Sequence, residues 1–259
     1  MSNNKENKTF LYGMVFLILI VLTSIVIKNY NKYYNNKSIK EIKKNTLLVS
    51  SKKINNDNNG KLVLTKGKFN TNYLYDSLFN IKVEANNLLR HVEVYQWVQI
   101  KEVNSKGKTV YKYEKVWSDR IIKSKKFKNK KKINPTKKIY KSKYFNQDIT
   151  TIGAFTLSKK QVKNLPCDTR LKLGTSNEPK NGFKIYDNFF TNSKNPEKPK
   201  IGDYRISYHY NNWEYATVLA TQKGKSFTDY ITKKREKINY IAKDKISLDE
   251  IINYLPLKK

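Results

Sequence analysis

Few side chains in this sequence could carry catalytic chemistry. The candidate bases are His91 and His209, and the candidate nucleophile is Cys167. Acid–base or nucleophilic catalysis needs such a group beside a second, oriented group, and no His lies near Cys167 in the sequence. His91 stands at the entry to a predicted strand and His209 alternates outward between two tyrosines, so we interpret both as surface or half-buried residues. Cys167 is interpreted as a small buried hydrophobe.

Three carboxylates, Glu93, Asp148 and Asp203, would suit a paired acid and base, but nothing in the sequence places them together. Motifs for a nucleophile elbow, a phosphate-binding loop, a dinucleotide-binding turn and a zinc-protease helix are absent. One Cys and two His cannot form an intrachain disulfide or a Cys/His zinc site of about four ligands. We predict no enzymatic activity and no catalytic, cofactor-binding or metal-binding residue. A hydrolase would need Asp203, Glu93 or His209 to meet in one pocket.

A basic run covers residues 123–143, which include eleven Lys. Three interpretations are open: a solvated loop, a surface for anionic lipids, which attract Lys near a bilayer, and a nucleic-acid contact. Nucleic acid is the weakest of these, because the run lacks Arg and no nucleic-acid-binding motif accompanies it. The net charge of +32, carried by 53 Lys and Arg of which only five are Arg, also fits a compositional bias. The candidate contacts are Lys125, Lys126, Lys128, Lys130, Lys131, Lys132, Lys137 and Lys138.

The strongest local signal is residues 10–27, an apolar stretch without a charged side chain. As a helix it spans about 27 Å, close to the hydrocarbon core of a bilayer, so it predicts one transmembrane helix. The alternatives are a cleaved signal peptide, which needs a shorter apolar run and a small-residue cleavage site, and a buried core helix. Residues 1–9 form a tail and residues 28–60 a polar juxtamembrane segment. Within that segment, Ser38 and Glu41 have capping-box spacing and predict a short helix ending near Leu48.

From residue 61 to residue 259, two-residue alternation predicts a mainly β (β-rich α+β) domain with a few short helices. Residues 92–100 and 109–117 form a predicted hairpin around the turn at residues 104–108. Residues 204–210 and 213–221 predict a second strand pair, joined by a tight turn. Ser caps predict helices at residues 158–165 and 247–255.

Five sequence motifs follow one another along the chain: an E-x-Y-Q-W strand, a paired Trp, an Asn-Pro break, an Ile-Gly pair and a P-x-x-G-D-x-R element. In this order, the motifs resemble those of the LUMA family, also called the transmembrane protein 43 family. The resemblance covers nearly the whole chain. The residues in these motifs are Glu93, Tyr95, Gln96, Trp97, Trp117, Asn134, Pro135, Gly153, Pro199, Gly202, Asp203 and Arg205.

The motif residues also have a structural interpretation that does not depend on the family. Gly153 and Gly202 stand where a strand begins or bends, which fits positive φ or a close backbone approach. Asp203 and Arg205 lie on one strand face, where an ion pair with a neighbouring strand can form. We therefore expect these residues to specify the fold before they specify a binding site.

The resemblance implies a non-catalytic scaffold or interaction protein of the endoplasmic reticulum and nuclear envelope, with partners such as lamins and emerin if the host is eukaryotic. For a bacterial host the corresponding location is the cytoplasmic membrane with a periplasmic domain. Members usually continue into further C-terminal membrane spans, which residues 256–259 do not supply. The lipid bilayer is the one partner that the sequence itself predicts, and a homo-oligomer is compatible with it. Family resemblance favours a lumenal or periplasmic domain, whereas the Lys excess after the apolar stretch favours the cytoplasm.

Overall fold

The computed structural model of the chain describes residues 23–24, 37–174, 181–255 and 257. Strands dominate the regular structure in these residues, so the predicted mainly β fold class is confirmed. Residues 37–45 are helical and are called α1. The other helices are α2 (Lys159–Lys163) and α3 (Leu248–Asn253), and 3-10 turns lie at Asn56–Asn58 and Ser124–Lys126. The strands are β1 Leu47–Ser50, β2 Leu62–Asn70, β3 Asn72–Asp76, β4 Ile81–Ala85, β5 Asn87–Val103, β6 Thr109–Ser118, β7 Lys143–Asn146, β8 Thr151–Ile152, β9 Phe155–Thr156, β10 Thr169–Arg170, β11 Lys184–Tyr186, β12 Phe189–Thr191, β13 Tyr204–Tyr210, β14 Tyr215–Lys223, β15 Ser226–Thr228, β16 Tyr230–Ile231, β17 Lys237–Ile238 and β18 Tyr240–Lys243.

The predicted transmembrane helix, residues 10–27, lies outside the described residues except for residues 23–24, which are helical. Within the described ranges, every helix falls short of the length and apolar character needed to cross a bilayer. The membrane-spanning helix therefore stays a prediction from the sequence.

The chain divides into two compact units. Unit 1 comprises residues up to Lys68, Ile152–Thr156 and Tyr215 onward, and unit 2 comprises Phe69–Thr151 and Leu157–Glu214. The sequence indicated one domain beginning at residue 61, after a separate juxtamembrane segment. In the structure α1 and β1, which precede residue 61, contribute to unit 1.

Unit 1 is built on a seven-stranded sheet in the order β15-β14-β2-β8-β9, with β1 parallel to β2 and β18 beside β14. Its apolar core combines β2 and β14 with α1 and α3. Ile42 of α1, Leu219 of β14 and Ile251 of α3 are fully buried in one cluster. The short helices are therefore held by burial of their apolar side chains, because helices of this length are marginal alone.

The predicted capping box of α1 is wrong. Residue 37 is already helical, and Ser38 is fully buried with a hydroxyl that has no hydrogen-bond partner among the described residues. The helical stretch ends at residue 45, where the sequence predicted an end near Leu48, and Leu47–Ser50 instead pair with β2. The pairing with β2 satisfies backbone groups along one edge of β1 and extends the sheet of unit 1.

Unit 2 is organised around β5, a strand of 17 residues in a sheet with the order β11-β12-β13-β5-β6. The predicted β5–β6 hairpin is confirmed, with Tyr95 opposite Trp117. Along the first half of β5, Leu88, Val92 and Val94 point into a fully buried core that also holds Phe79.

The second predicted strand pair is wrong. The strands β13 and β14 form near the expected positions, but β13 pairs with β5, β10 and β12, whereas β14 pairs with β2, β15 and β18. Asn211, between them, is fully buried, and its side-chain amide donates to the carbonyl of Pro166 at 3.0 Å and accepts from Asn86 at 3.0 Å. These bonds hold the connection in place of a two-residue hairpin turn.

Both predicted Ser-capped helices are confirmed. Ser158 accepts from the backbone N–H of Gln161 at the start of α2, and Gln161 returns a hydrogen bond to the Ser158 backbone. Ser247 and Glu250 form the same reciprocal pair at the start of α3. Each pair satisfies two N–H groups that a helix start leaves without an intrahelical partner.

Candidate functional site

Four of the motif residues meet on one face of the β5–β13–β6 sheet. Glu93 stands opposite Arg205, and the carboxylate accepts from the guanidinium at 2.5 and 3.1 Å. The guanidinium carbon lies 4.9 Å from the ring centre of Trp117, whose ring is 5.0 Å from that of Tyr95. The ion pair expected between Arg205 and a neighbouring strand is present. Because the Glu93 carboxylate is engaged by Arg205, the group links strands and does not form an acid–base pair.

The P-x-x-G-D element forms a turn that is bonded to Tyr95. Gly202 has φ of +97°, a region that favours glycine, and its N–H donates to the carbonyl of Tyr95 at 2.9 Å. The N–H of Tyr95 donates in return to the carbonyl of Asp203 at 2.9 Å. The Asp203 carboxylate accepts from the backbone N–H of Lys200 at 2.8 Å, and Pro199, the residue before Lys200, is half-buried. Asp203 therefore closes its own turn.

Two further motif side chains, those of Gln96 and Asn134, join β5 to the segment that follows β6. The Asn134 amide accepts from the backbone N–H of Trp97 at 2.7 Å and donates to the Trp97 carbonyl at 2.8 Å. Gln96 is fully buried, donates to the carbonyl of Arg120 at 2.8 Å and accepts from the backbone N–H of Ile122 at 3.0 Å. Both amides tie the following basic segment to the edge of β5, which would otherwise present unpaired backbone groups.

Gly153 has a steric role. Gly153 has φ of +59°, and a Cβ added there would overlap the backbone carbonyl of Ser51. Pro135 follows Asn134 and lies 3.7 Å from the position that a Cβ on Gly202 would occupy.

Residues 119–142 are here called the edge loop, and from Lys128 onward they follow β5 in the opposite direction. The backbone N–H of Lys128 donates to the Gln99 side chain at 2.6 Å near the far end of β5. The ammonium of Lys138 donates to the carbonyl of Val92 at 2.7 Å, closer to its start. Asn134 is bonded between these points, so several contacts position the loop.

The edge loop exposes most of the predicted contact lysines together with apolar side chains. Ile133 and Ile139 are 70 % and 75 % exposed, and residues 120–147 contain no Asp or Glu. Two lysines are half-buried: the Lys132 ammonium lies 3.8 Å from the Trp97 ring centre, and burial lowers the pKa of Lys138. The exposed lysines are Lys125, Lys126, Lys128, Lys130, Lys131 and Lys137.

The half-buried residues His91 and His209 are adjacent, with ring centres 6.5 Å apart. Burial, followed by the charges of His91 and Arg170, lowers the pKa of His209, so this imidazole is neutral near pH 7. The Ser207 hydroxyl lies 3.4 Å from His209 Nε2, which is longer than the 2.6–3.2 Å typical of an activated nucleophile. Within the part of the chain that the structure describes, no carboxylate forms a hydrogen bond with either imidazole.

The remaining candidates for chemistry are separate. Cys167 is half-buried beside Asn87, and burial, with the nearby Asp168, raises the pKa of its thiol to about 11. A thiol with this pKa is protonated near pH 7, whereas the thiolate is the nucleophile. Asp148 is exposed.

A buried polar cluster in unit 2 was missed in the sequence. The Arg90 guanidinium donates to both carboxylate oxygens of Asp76 at 2.9 and 2.7 Å, and the Tyr208 hydroxyl donates to the same carboxylate at 2.6 Å. Asp76 and Arg90 are less than a tenth exposed, and Tyr208 is fully buried. One signal for the cluster was present in the sequence. Arg90 alternates in phase with Val92 and Val94, so its side chain points to the same buried face, and a buried guanidinium requires a partner of opposite charge.

Comparison with known proteins gives the same family from a family model and from individual relatives. A family model described as Transmembrane protein 43 matches residues 94–256. Proteins named Transmembrane protein 43 from Rattus norvegicus and Homo sapiens are each 28 % identical, over 228 and 230 residues and 80 % of this chain. A Transmembrane protein 43 homolog of Drosophila melanogaster is 23 % identical over 67 % of the chain and 49 % of its own length. The alignments span 57 % and 58 % of the rat and human proteins. No solved structure matches the chain.

Proposed function

Because the chain belongs to the transmembrane protein 43 family, we propose that it is a membrane-anchored scaffold or interaction protein without catalytic activity. Residues 10–27 would tether the β-rich body to a bilayer as a single span. The observation that carries the proposal is the use of the motif side chains. The polar groups of Glu93, Arg205 and Asn134 are engaged in contacts between strands and loops of one unit. These contacts favour a defined surface over a reactive centre.

The location and partners belong to the same proposal. In a eukaryotic host the protein would lie in the endoplasmic reticulum and nuclear envelope, where lamin- or emerin-like proteins are candidate partners. In a bacterial host it would lie in the cytoplasmic membrane with a periplasmic body. The family resemblance favours a body on the lumenal or periplasmic side of the membrane. The excess of Lys after the apolar stretch favours the cytoplasmic side, but the rule based on loop charge is unreliable for long domains.

Extraction with alkaline carbonate tests the anchor. The full-length chain is expected to stay in the membrane pellet, because the apolar stretch favours the hydrocarbon core. Replacing Ile18 and Leu19 by Asp is expected to release it, since each carboxylate costs about 2.5–3.5 kcal/mol at a helix centre. A variant with Ile18→Val and Leu19→Val is the matched control and should stay in the pellet. Release of the unmodified chain would contradict the proposal.

A second candidate function is contact between the edge loop and anionic lipid. The observation that favours it over nucleic acid is the exposure of Ile133 and Ile139 among cationic side chains, because apolar side chains gain from entering a bilayer interface and not from contact with phosphates in water. Exposed lysines of the loop would neutralise lipid head groups.

Environment-sensitive labels test the loop. In proteoliposomes with about 20 % phosphatidylserine, a fluorophore on Ile139→Cys is expected to shift to the blue relative to pure phosphatidylcholine. Replacing Lys125, Lys126, Lys128 and Lys130 by Gln should abolish this shift. A label on Ser105→Cys, in the β5–β6 turn, is the control and should not respond. A shift produced by an added oligonucleotide but not by the lipid would favour nucleic-acid binding instead.

A further inference from the structure

One face of α1 carries a row of charged side chains. Lys37, Lys40, Glu41 and Lys44 are three or four positions apart and are therefore neighbours on the helix surface. Another face buries Ile42 in the core of unit 1. The orientation of the charged row is thus set by packing, and like charges at these spacings lower helix stability unless something balances them.

The row faces the turn between β16 and β17. The Glu41 carboxylate accepts from the Tyr230 hydroxyl at 3.0 Å and from the backbone N–H of Lys233 at 3.0 and 3.1 Å. The Asn45 amide donates to the Tyr230 hydroxyl at 2.9 Å. These bonds hold α1 against the turn and place lysines on both sides of the gap between them.

The gap is a cleft of about 410 Å³, within the range of small-molecule sites. Lys37, Lys40, Glu41 and Lys44 line it from α1, and Lys233 and Lys234 line it from the turn. Among the described residues, Lys40, Lys44 and Lys233 form no salt bridge. Even without Lys37 and Lys234, three lysines and one carboxylate line the cleft, an excess of two positive charges.

We propose that this cleft binds a phosphate monoester carried on a small polar body, such as the phosphorylated headgroup of an inositol lipid or its soluble counterpart. A phosphate monoester carries about −1.5 to −2 charges near pH 7, which matches the excess. The cleft volume leaves room for more than a phosphate group. Lys is a suitable phosphate ligand that acts as a point charge.

The lipid source rests on the proposed membrane anchor and requires unit 1 to face the cytoplasmic leaflet, where inositol lipids lie; a body in the lumen or periplasm would meet only the soluble ligand. Residue 37 follows residue 27 by ten positions, so α1 lies within about 33 Å of the end of the apolar stretch, whatever the path of the chain between them. A soluble phosphorylated ligand requires no anchor. The two sources share the same chemistry and can be separated by experiment.

Fluorescence anisotropy of the full chain in detergent micelles tests the site with two probes. One is labelled, soluble inositol trisphosphate and the other is labelled phosphatidylinositol bisphosphate in the micelles. Combining Lys40→Gln, Lys44→Gln and Lys233→Gln is expected to weaken binding about a hundredfold. Glu41→Gln keeps an oxygen acceptor but removes the negative charge, so it should strengthen binding about threefold. A merely structural role for Glu41 would not produce tighter binding.

The matched control combines Lys52→Gln, Lys61→Gln and Lys223→Gln, three exposed lysines of unit 1 outside the cleft. It should change binding by less than about twofold. Binding of both probes supports the site with a soluble ligand, and binding of the lipid probe alone supports it with a membrane ligand. Equal losses in the two triple variants, or no binding of either probe, would overturn the proposal. If carbonate released the chain but the probes still bound, the proposed anchor would be wrong and the proposed phosphate site would be retained.

Discussion

Replacing Asp76 by Asn is expected to lower the free energy of unfolding by about 3–5 kcal/mol, because it leaves the buried Arg90 guanidinium without its counter-charge. The Asp76 carboxylate accepts two bonds from Arg90, one from Tyr208 and one from the backbone N–H of Leu78 at 3.1 Å. Burial, and the bond to Asp76, raise the pKa of Tyr208, so the phenol stays a donor. Chemical denaturation of the full chain in micelles measures the loss.

The control is the exposed pair of Glu102 and Lys112, whose charged groups are 2.7 Å apart. Glu102→Gln should change stability little, because solvent screens an exposed ion pair. Replacing Asp76 and Arg90 together by Leu should recover part of the loss, since it removes both buried charges. Equal effects of Asp76→Asn and Glu102→Gln would show that the buried cluster does not stabilise unit 2.

Replacing Gly153 by Ala is expected to cost about 2–4 kcal/mol. The left-handed conformation at φ of +59° disfavours a side chain. In addition, the new methyl group would overlap the carbonyl of Ser51, which accepts from the N–H of Ala154 at 2.7 Å. Because that carbonyl belongs to the backbone, the overlap can be relieved only by shifting the backbone at Ser51 or at Gly153. Thermal or chemical denaturation of the variant checks the prediction.

Gly107→Ala is the matched control for this substitution. Gly107 has φ of +71° in the β5–β6 turn, and a Cβ there would meet no atom within 4 Å. It should therefore show only the backbone penalty of about 1 kcal/mol. If Gly153→Ala were no more destabilising than Gly107→Ala, the close approach to Ser51 would carry no energetic weight.

These results would bear on the scaffold proposal as well as on stability. The polar motif groups and the Asp76 cluster are occupied inside their own units. Among the exposed features of the described residues, the edge loop and the lysine cleft are the two for which we propose a ligand. A surface variant in either place should alter binding and leave folding intact. A substitution at Asp76 or Gly153 should lower the stability of the fold without changing the surfaces that bind a ligand.

Local features were predictable from the sequence. The β5–β6 hairpin was predicted because strand alternation and a Gly-containing turn lie next to each other along the chain. The Ser caps of α2 and α3 were predicted because a cap and the amide it bonds lie within three residues, and at Ser247 the partner Glu250 was predicted as well. The reciprocal bond from Gln161 to Ser158 was not predicted. The same spacing at Ser38 was misleading, since a capping box also requires that the helix begin at that residue.

Non-local features were not predictable. The alternation in β13 and β14 does not say which strands they pair with, and their different sheets depend on contacts of Asn211 with residues distant in sequence. The edge loop shows the same limit. The count of lysines was visible in the sequence, but the two that lie against Trp97 and the Val92 carbonyl could not be separated from the exposed ones.

The sequence by itself determined the mainly β class, the apolar stretch over residues 10–27 and membership of the family, because composition, periodicity and ordered motifs are properties of the chain alone. Tertiary structure alone decided that Arg90 meets Asp76, that Asn134 completes the edge of β5 and that lysines from α1 and the β16–β17 turn share a cleft. These contacts join groups far apart in sequence, and their energies arise from burial and from geometry that forms only when the chain folds.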